Sequence, residues 1–268
     1  MFSPESIILY ICLGSFVGII AGLLGIGGGV ILVPALSSIF IMQGVIPEAN
    51  IMHLALGTSM ATIVVTASSS LRAHHKKKGV LWDLFKLMTP GIIIGALLAT
   101  FIGSLLSSFD LAIIFIIVMV FVSFKMFFNG SKESNQKKFP PKVQATAGFF
   151  IGLISALVSL GGGVINVPYF LWQNIEPKKA IGTSAALTFP LALSGTIGYI
   201  ISGWSFTSVE HLSLGFVLVP VFLIVSFFSF LFAPLGVKLA YTLPVNIIKK
   251  VFACLIILVS VKMLISFV

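Results

Sequence analysis

Gly22-Leu23-Leu24-Gly25-Ile26-Gly27-Gly28-Gly29-Val30-Ile31-Leu32-Val33-Pro34 returns further along the chain as Leu157-Val158-Ser159-Leu160-Gly161-Gly162-Gly163-Val164-Ile165-Asn166-Val167-Pro168. From the glycine triplet to the proline the two copies differ only at Leu32 against Asn166. Three consecutive glycines inside an apolar run each cost a helix about 0.8–1.0 kcal/mol relative to alanine, so each triplet marks a break. The piece after a break starts a new half-helix, with unpaired N–H groups and the positive end of its dipole at the break. An anion fits such a place. Pro34 and Pro168 fall within the half-helices, where each removes a donor and favours a kink. Glycine that merely lets helices approach, with proline that merely bends them, is the competing reading. Duplication in two halves of one chain favours a substrate site at Gly27, Gly28, Gly29, Pro34 and Gly161, Gly162, Gly163, Pro168.

The rest of the chain supplies the membrane context. Of 268 residues, 58% are hydrophobic and 9% charged, with a mean hydropathy of +1.18. That leaves too little polar surface to coat a soluble globule. Apolar runs near 5–24, 30–43, 51–71, 84–106, 111–128, 143–160, 164–173, 180–202, 211–234 and 245–267 predict an all-α polytopic membrane protein. Runs 30–43 and 164–173 are too short to cross, and each follows a glycine triplet. Residues 1–128 then form a first repeat and 143–268 a second, joined by a polar linker at 129–142 that holds four lysines and Pro140-Pro141. Cys12 and Cys254 lie in apolar stretches and read as packing. The first residues lack the basic stretch of a cleavable signal.

Charge orients the halves. The net charge of +9 is spread over short loops rather than one soluble face, so it reads as topology signal and not as a nucleic-acid surface. With the Arg72–Lys78 loop on the cytoplasmic side, treating each broken unit as a hairpin leaves Lys262 alone outside. Treating it as a single crossing would turn Lys178, Lys179, Lys238, Lys249 and Lys250 outward. The hairpin reading gives each half three full crossings plus a hairpin, and an odd number of crossings makes two inverted-topology repeats.

Further residues repeat at matched places. Gly57-Thr58-Ser59 returns as Gly182-Thr183-Ser184, and hydroxyls at Thr58, Ser59, Thr183 and Ser184 can donate to an anion or bond a carbonyl one turn back. Asn166 breaks the symmetry with an amide that either contacts substrate or ties two helices. His53 and Lys178, each four residues before a Gly-Thr-Ser, are expected near a membrane face. The His74-His75-Lys76-Lys77-Lys78 run is expected to set topology. All seven acidic residues fall at segment ends or in loops, which argues for an anionic or neutral substrate over a cation. No P-loop, zinc-ligand spacing, GxSxG elbow or TVGYG filter occurs, so no cofactor, resident metal or catalysis is expected.

These blocks, GLLGIGGGVILVPAL from Gly22, LVSLGGGVINVPYFL from Leu157 and the two Gly-Thr-Ser segments, resemble the TauE/SafE family over nearly the whole chain. The resemblance implies a permease of a bacterial plasma membrane for sulfite or an organosulfonate such as sulfoacetate. An interior-negative potential, about 2.3 kcal/mol per charge per 100 mV, favours export. The expected partners are a small anion and membrane lipid, and a homo-oligomer is compatible with the sequence. A transporter or channel for another small solute or a metal cation, or a non-transporting membrane scaffold, is the alternative.

Overall fold

The computed structural model describes residues 4–25, 27–44, 46–128, 139–207 and 212–243, with the backbone alone for 122–128. Helices α1 (Pro4–Leu24), α2 (Gly29–Gln43), α3 (Ile51–Lys76), α4 (Trp82–Ser104) and α5 (Ser108–Phe128) make up the first half. The second holds α6 (Pro141–Leu157), α7 (Gly163–Trp172), α8 (Pro177–Ser202) and α9 (Val219–Thr242). Five helical segments among the described residues are long and apolar enough to cross a membrane. The last expected span, 245–267, and most of the 129–142 linker lie outside the described residues.

Local chemistry sets the ends of the helices. Pro141, Pro177 and Pro220 stand in first turns, where a missing N–H costs nothing. Gly44 closes α2 in the left-handed conformation, its N–H returning to Phe40 and Ile41. Two boundaries differ from expectation. Residues 213–218 form a short antiparallel hairpin, Ser213 paired with Leu218, instead of the start of the 211–234 span. Gly215, at a φ of 55°, makes the turn. Helix α3 also runs on through Arg72 to Lys76, so His74 lies inside a helix and is fully buried.

Small residues decide the packing. Gly14, Gly18 and Gly22 of α1 lie against the backbone of Val225, Ser229 and Ala233 of α9, so the two helices run parallel in close contact. The same device joins α4 to α6: Gly91 and Gly95 face Ala145 and Phe149, and Gly148 and Gly152 face Met88 and Ile92. Such close backbone approach gives the dispersion contact that holds helices together in lipid. Helix α3 lies parallel to α9, through Thr66–Ser229 and Ser69–Phe230, and α8 lies parallel to α4, through Thr183–Leu81 and Gly198–Thr100.

Two layers result, α1–α3–α9 and α4–α6–α8. They meet where α3 crosses α8 antiparallel, with Met60 on Gly195, while Ile63 and Thr188 both close on Gly27. Every layer mixes the halves, and exchanging the halves exchanges the layers.

Both broken units are hairpins. Gln43 at the end of α2 donates to Ser6 and Tyr10 at the start of α1 (3.1 and 3.4 Å). Gln173, just past α7, accepts from Gln144 at the start of α6 (2.8 Å), and Tyr169 donates to the same Gln144 (3.0 Å). The two mouths lie at opposite ends of the bundle, because α1 and α6 belong to antiparallel layers. Arg72, Lys76, Lys77, Lys78, Lys86, Lys142, Lys178, Lys179 and Lys238 gather at the α6–α7 mouth. Glu5, Glu48 and Asp110 sit at the other end.

Candidate functional site

The two glycine breaks meet at the α3–α8 crossing. A Cβ placed on Gly27 would stand 3.6 Å from the Cα of Gly161, and 2.6 and 2.8 Å from the methyls of Ile63 and Thr188. Gly29 touches the carbonyl of Ser159 in the opposite break. The first break is wound by positive φ at Gly25, Gly27 and Gly28, the second by positive φ at Ser159 and Gly161. Ser159 therefore keeps the conformation of its counterpart Gly25, and its hydroxyl donates to the carbonyl of Leu56 (3.0 Å). The mirror contact exists too: Ile181, the counterpart of Leu56, brings its carbonyl against Gly25.

Both half-helices open toward this junction. In α2 the first backbone bonds are those of Ile31 and Leu32 to Gly28, and in α7 those of Ile165 and Asn166 to Gly162. The N–H groups of Gly29 and Val30, and of Gly163 and Val164, thus belong to open first turns. Asn166 is fully buried, folds back over Gly162, and finds no hydrogen-bond partner for either its oxygen or its nitrogen. Ser59 is fully buried, with its hydroxyl also without a partner, one turn before Ile63. A buried amide left unpaired costs about 1–3 kcal/mol, which a polar ligand would recover.

The other predicted residues divide into two groups. Ser184 donates to Gly25 (3.3 Å) and so stays at the break. Thr58 and Thr183 hold loops of the opposite half. Leu218, before α9, donates its N–H to Thr58 Oγ1 (3.0 Å), and Leu81, before α4, donates to Thr183 Oγ1 (2.9 Å). Gly57 and Gly182 accommodate the carbonyls of Phe216 and Gly79 in the same two loops. The Gly-Thr-Ser segment is accordingly a receptacle for a loop as well as a neighbour of the break. Replacing Thr58 or Thr183 with valine strands one N–H, and each variant should lose about 1–3 kcal/mol in a detergent unfolding assay. The two losses should be similar, and a change at only one of them would contradict the symmetric role.

Pro34 is buried in α2, whereas Pro168 is half-buried and lines a cavity of about 730 Å³ between α5, α6 and α7, with Val164, Tyr169 and Trp172. His53, in the first turn of α3 and so near one end of the bundle, is buried there, its ring 4.9 Å from that of Phe216 and Nε2 3.2 Å from the Gly103 carbonyl. Lys178 is at the cationic end, 5.8 Å from the Tyr241 ring centre. Among the described residues no group of three or more His, Cys, Asp or Glu is placed to hold a metal. The amide ties at the hairpin mouths were not foreseen, because single glutamines in apolar runs give no local signal of their partners.

Helices that span a bilayer, broken in pairs at a central junction, define a polytopic membrane transporter. Residues 10–263 match the sulfite exporter TauE/SafE family, and the chain belongs to it. It is 35% identical over 260 residues to a probable membrane transporter protein of Haemophilus influenzae, covering 96% of this chain and 97% of that one. A probable membrane transporter protein of Methanocaldococcus jannaschii is 29% identical, covering 86% and 85% of the two chains. One of Bacillus subtilis is 26% identical over 74% and 80%. No solved structure matches.

Proposed function

We propose that this protein exports small sulfur-containing anions, sulfite or an organosulfonate such as sulfoacetate, across a bacterial plasma membrane by alternating access. The observation that carries this reading is the meeting of two glycine breaks beside the unpartnered Asn166 amide and Ser59 hydroxyl. Backbone N–H groups, an amide and a hydroxyl can all donate to an oxyanion without a buried cation. The described acidic residues Glu5, Glu48, Asp83, Asp110 and Glu176 stand at helix ends, which supports an anion over a cation. The site we propose comprises Gly27–Gly29, Gly161–Gly163, Ser59, Ser184 and Asn166, with Thr58, Thr183, Pro34 and Pro168 shaping it.

The halves are proposed to be inverted repeats in the membrane. The antiparallel crossing of α3 and α8, and the gathering of the described cations at one end, support this. Single cysteines at Gln43 and Asn174, in a cysteine-free background, should react with an impermeant thiol reagent from opposite sides. Labelling of both from one side would refute the inversion. The function itself is tested by flux of labelled sulfite and sulfoacetate in proteoliposomes against a divalent-metal panel. Saturable anion flux is expected, and metal flux without anion flux would overturn the reading.

A further inference from the structure

The two glycine breaks match in sequence but not in what surrounds them. In the first, Gly28 takes a φ of 89°, and the space a Cβ would fill there is already held by a methyl of Val17, with the Ala21 methyl 3.6 Å away. In the second, Gly162 keeps a right-handed φ of −44°, and the same space is held by the side-chain nitrogen of Asn166, with a Leu191 methyl at 3.5 Å. Ile151, which matches Val17, lines the cavity between α5, α6 and α7 instead. The first break is filled with hydrocarbon, the second with an amide.

Ala21 and Leu32 of the first break are replaced by Ser155 and Asn166 in the second. Ser155 stands one turn before Ser159, at the lip of the break, where its carbonyl accepts the N–H of Leu160 (2.9 Å). It is fully buried, and its hydroxyl has no partner in the protein. Serine in a membrane helix ordinarily returns its hydroxyl to a carbonyl of the preceding turn, as Ser15, Ser194 and Ser226 do here. Across the break α3 presents Ser59. The carbonyl of Leu56, one turn before it, receives the Ser159 hydroxyl (3.0 Å), which places this part of α3 on the second break. Ser184, the match of Ser59 at the first break, is bonded to the Gly25 carbonyl (3.3 Å), whereas the Ser59 hydroxyl is buried and unpaired.

Unpaired polar groups thus flank one break on three sides: Ser155 before it, Asn166 after it and Ser59 across from it. The matching places at the first break hold a methyl, an isobutyl group and a hydroxyl already in use. Ser38, Ser70 and Nδ1 of His53, also without partners, lie further along α2 and α3. Each unpaired group destabilises the folded chain unless a ligand satisfies it, and packing alone is served by the alanine and leucine of the first half.

We infer that the protein holds one anion per chain, at the second break alone, and that Ser155 is a side-chain donor to it beside Asn166 and Ser59. The inference rests on the anion-transport reading and narrows it to one half. The N–H groups of Gly163 and Val164, at the open first turn of α7, complete a set of neutral donors. The first break, packed by Val17 and Ala21, is the wall on which the second closes, with Gly29 against the Ser159 carbonyl.

Binding of labelled sulfite to purified full-length protein in detergent tests this, with stoichiometry and affinity read together. One site per chain is expected. Ser155→Ala, which installs the residue of the first half, should weaken binding about tenfold, the loss of one hydrogen bond to a charged ligand, without lowering the melting temperature of the ligand-free protein. Ser155→Cys, close in size but a weak donor, should lose affinity as well, so a folding defect in the alanine variant does not decide the matter. Two equivalent sites per chain, or wild-type affinity in both variants, would overturn the one-sided site and leave the anion permease standing. If sulfite does not bind, the same measurements apply to whichever anion of an oxyanion panel does. Binding of none of them would remove the anion reading itself, and this inference with it.

Discussion

Asn166→Leu is expected to yield a protein that is harder to unfold and a poorer transporter. Leucine is the residue at the matching position of the first half, Leu32, where it is fully buried in the same half-helix. The amide of Asn166 is equally buried and both its polar atoms lack partners, so its removal relieves a desolvation cost of about 1–3 kcal/mol. A chain of this size should gain several degrees in Tm, at about 2–4 °C per kcal/mol. The same substitution deletes a donor from the proposed anion site, and saturable sulfite flux should fall by about tenfold or more, the equivalent of one good hydrogen bond to a charged ligand. A Tm that drops while flux is maintained would make Asn166 a structural tie and remove it from the site. The opposite pair of changes is hard to obtain from a residue that only packs, because loss of packing lowers both.

Gly27→Ala should abolish transport. At a φ of 74° a side chain costs about 1–2 kcal/mol from conformation alone. The new methyl would also meet the methyls of Ile63 and Thr188 at 2.6 and 2.8 Å and come into contact with Gly161 across the junction at 3.6 Å. Alternating access requires the two broken hairpins to change their relation at this point, and a wedge there blocks the change as well as straining the rest state. The double variant Gly27→Ala/Ile63→Ala relieves the clash with Ile63 but neither that with Thr188 nor the conformational cost, so it should regain only part of the stability lost. Size-exclusion and unfolding measurements separate folding from flux. Wild-type transport by Gly27→Ala would show that the junction is not on the transport route.

The features legible in the sequence are those written in neighbouring residues. The glycine triplets announce the breaks because no helix tolerates three of them cheaply, and their repetition announces two halves. The described lysines gather at one end of the bundle, as expected from their place in short loops between the helices. What could not be read is who packs on whom. Gly14, Gly18 and Gly22 advertise a close contact, yet nothing in α1 names α9 as the partner. His74 was masked by the lysines beside it, which suggested a loop, whereas burial against Gly22 and Tyr241 depends on helices far away in the chain. Thr58 and Thr183 were legible as polar groups near the breaks, but their use as acceptors for Leu218 and Leu81 is a long-range matter. The hairpin at 213–218 was hidden in an apolar run, where average hydrophobicity outweighs the single turn glycine Gly215.

The exchange of partners between halves sets the order in which the protein can assemble. The glycine face of α1 is complementary to a helix that begins at Val219, so α1 enters the bilayer early and stays without its mate until most of the chain has been synthesised. Helix α4 waits likewise for α6. Contacts between residues so distant in the chain are slow to form, and each exposed glycine face is meanwhile open to the wrong neighbour. Completion of α9 should therefore be the event that locks the first layer, and nascent chains that stop short of it should remain accessible to proteases and membrane chaperones.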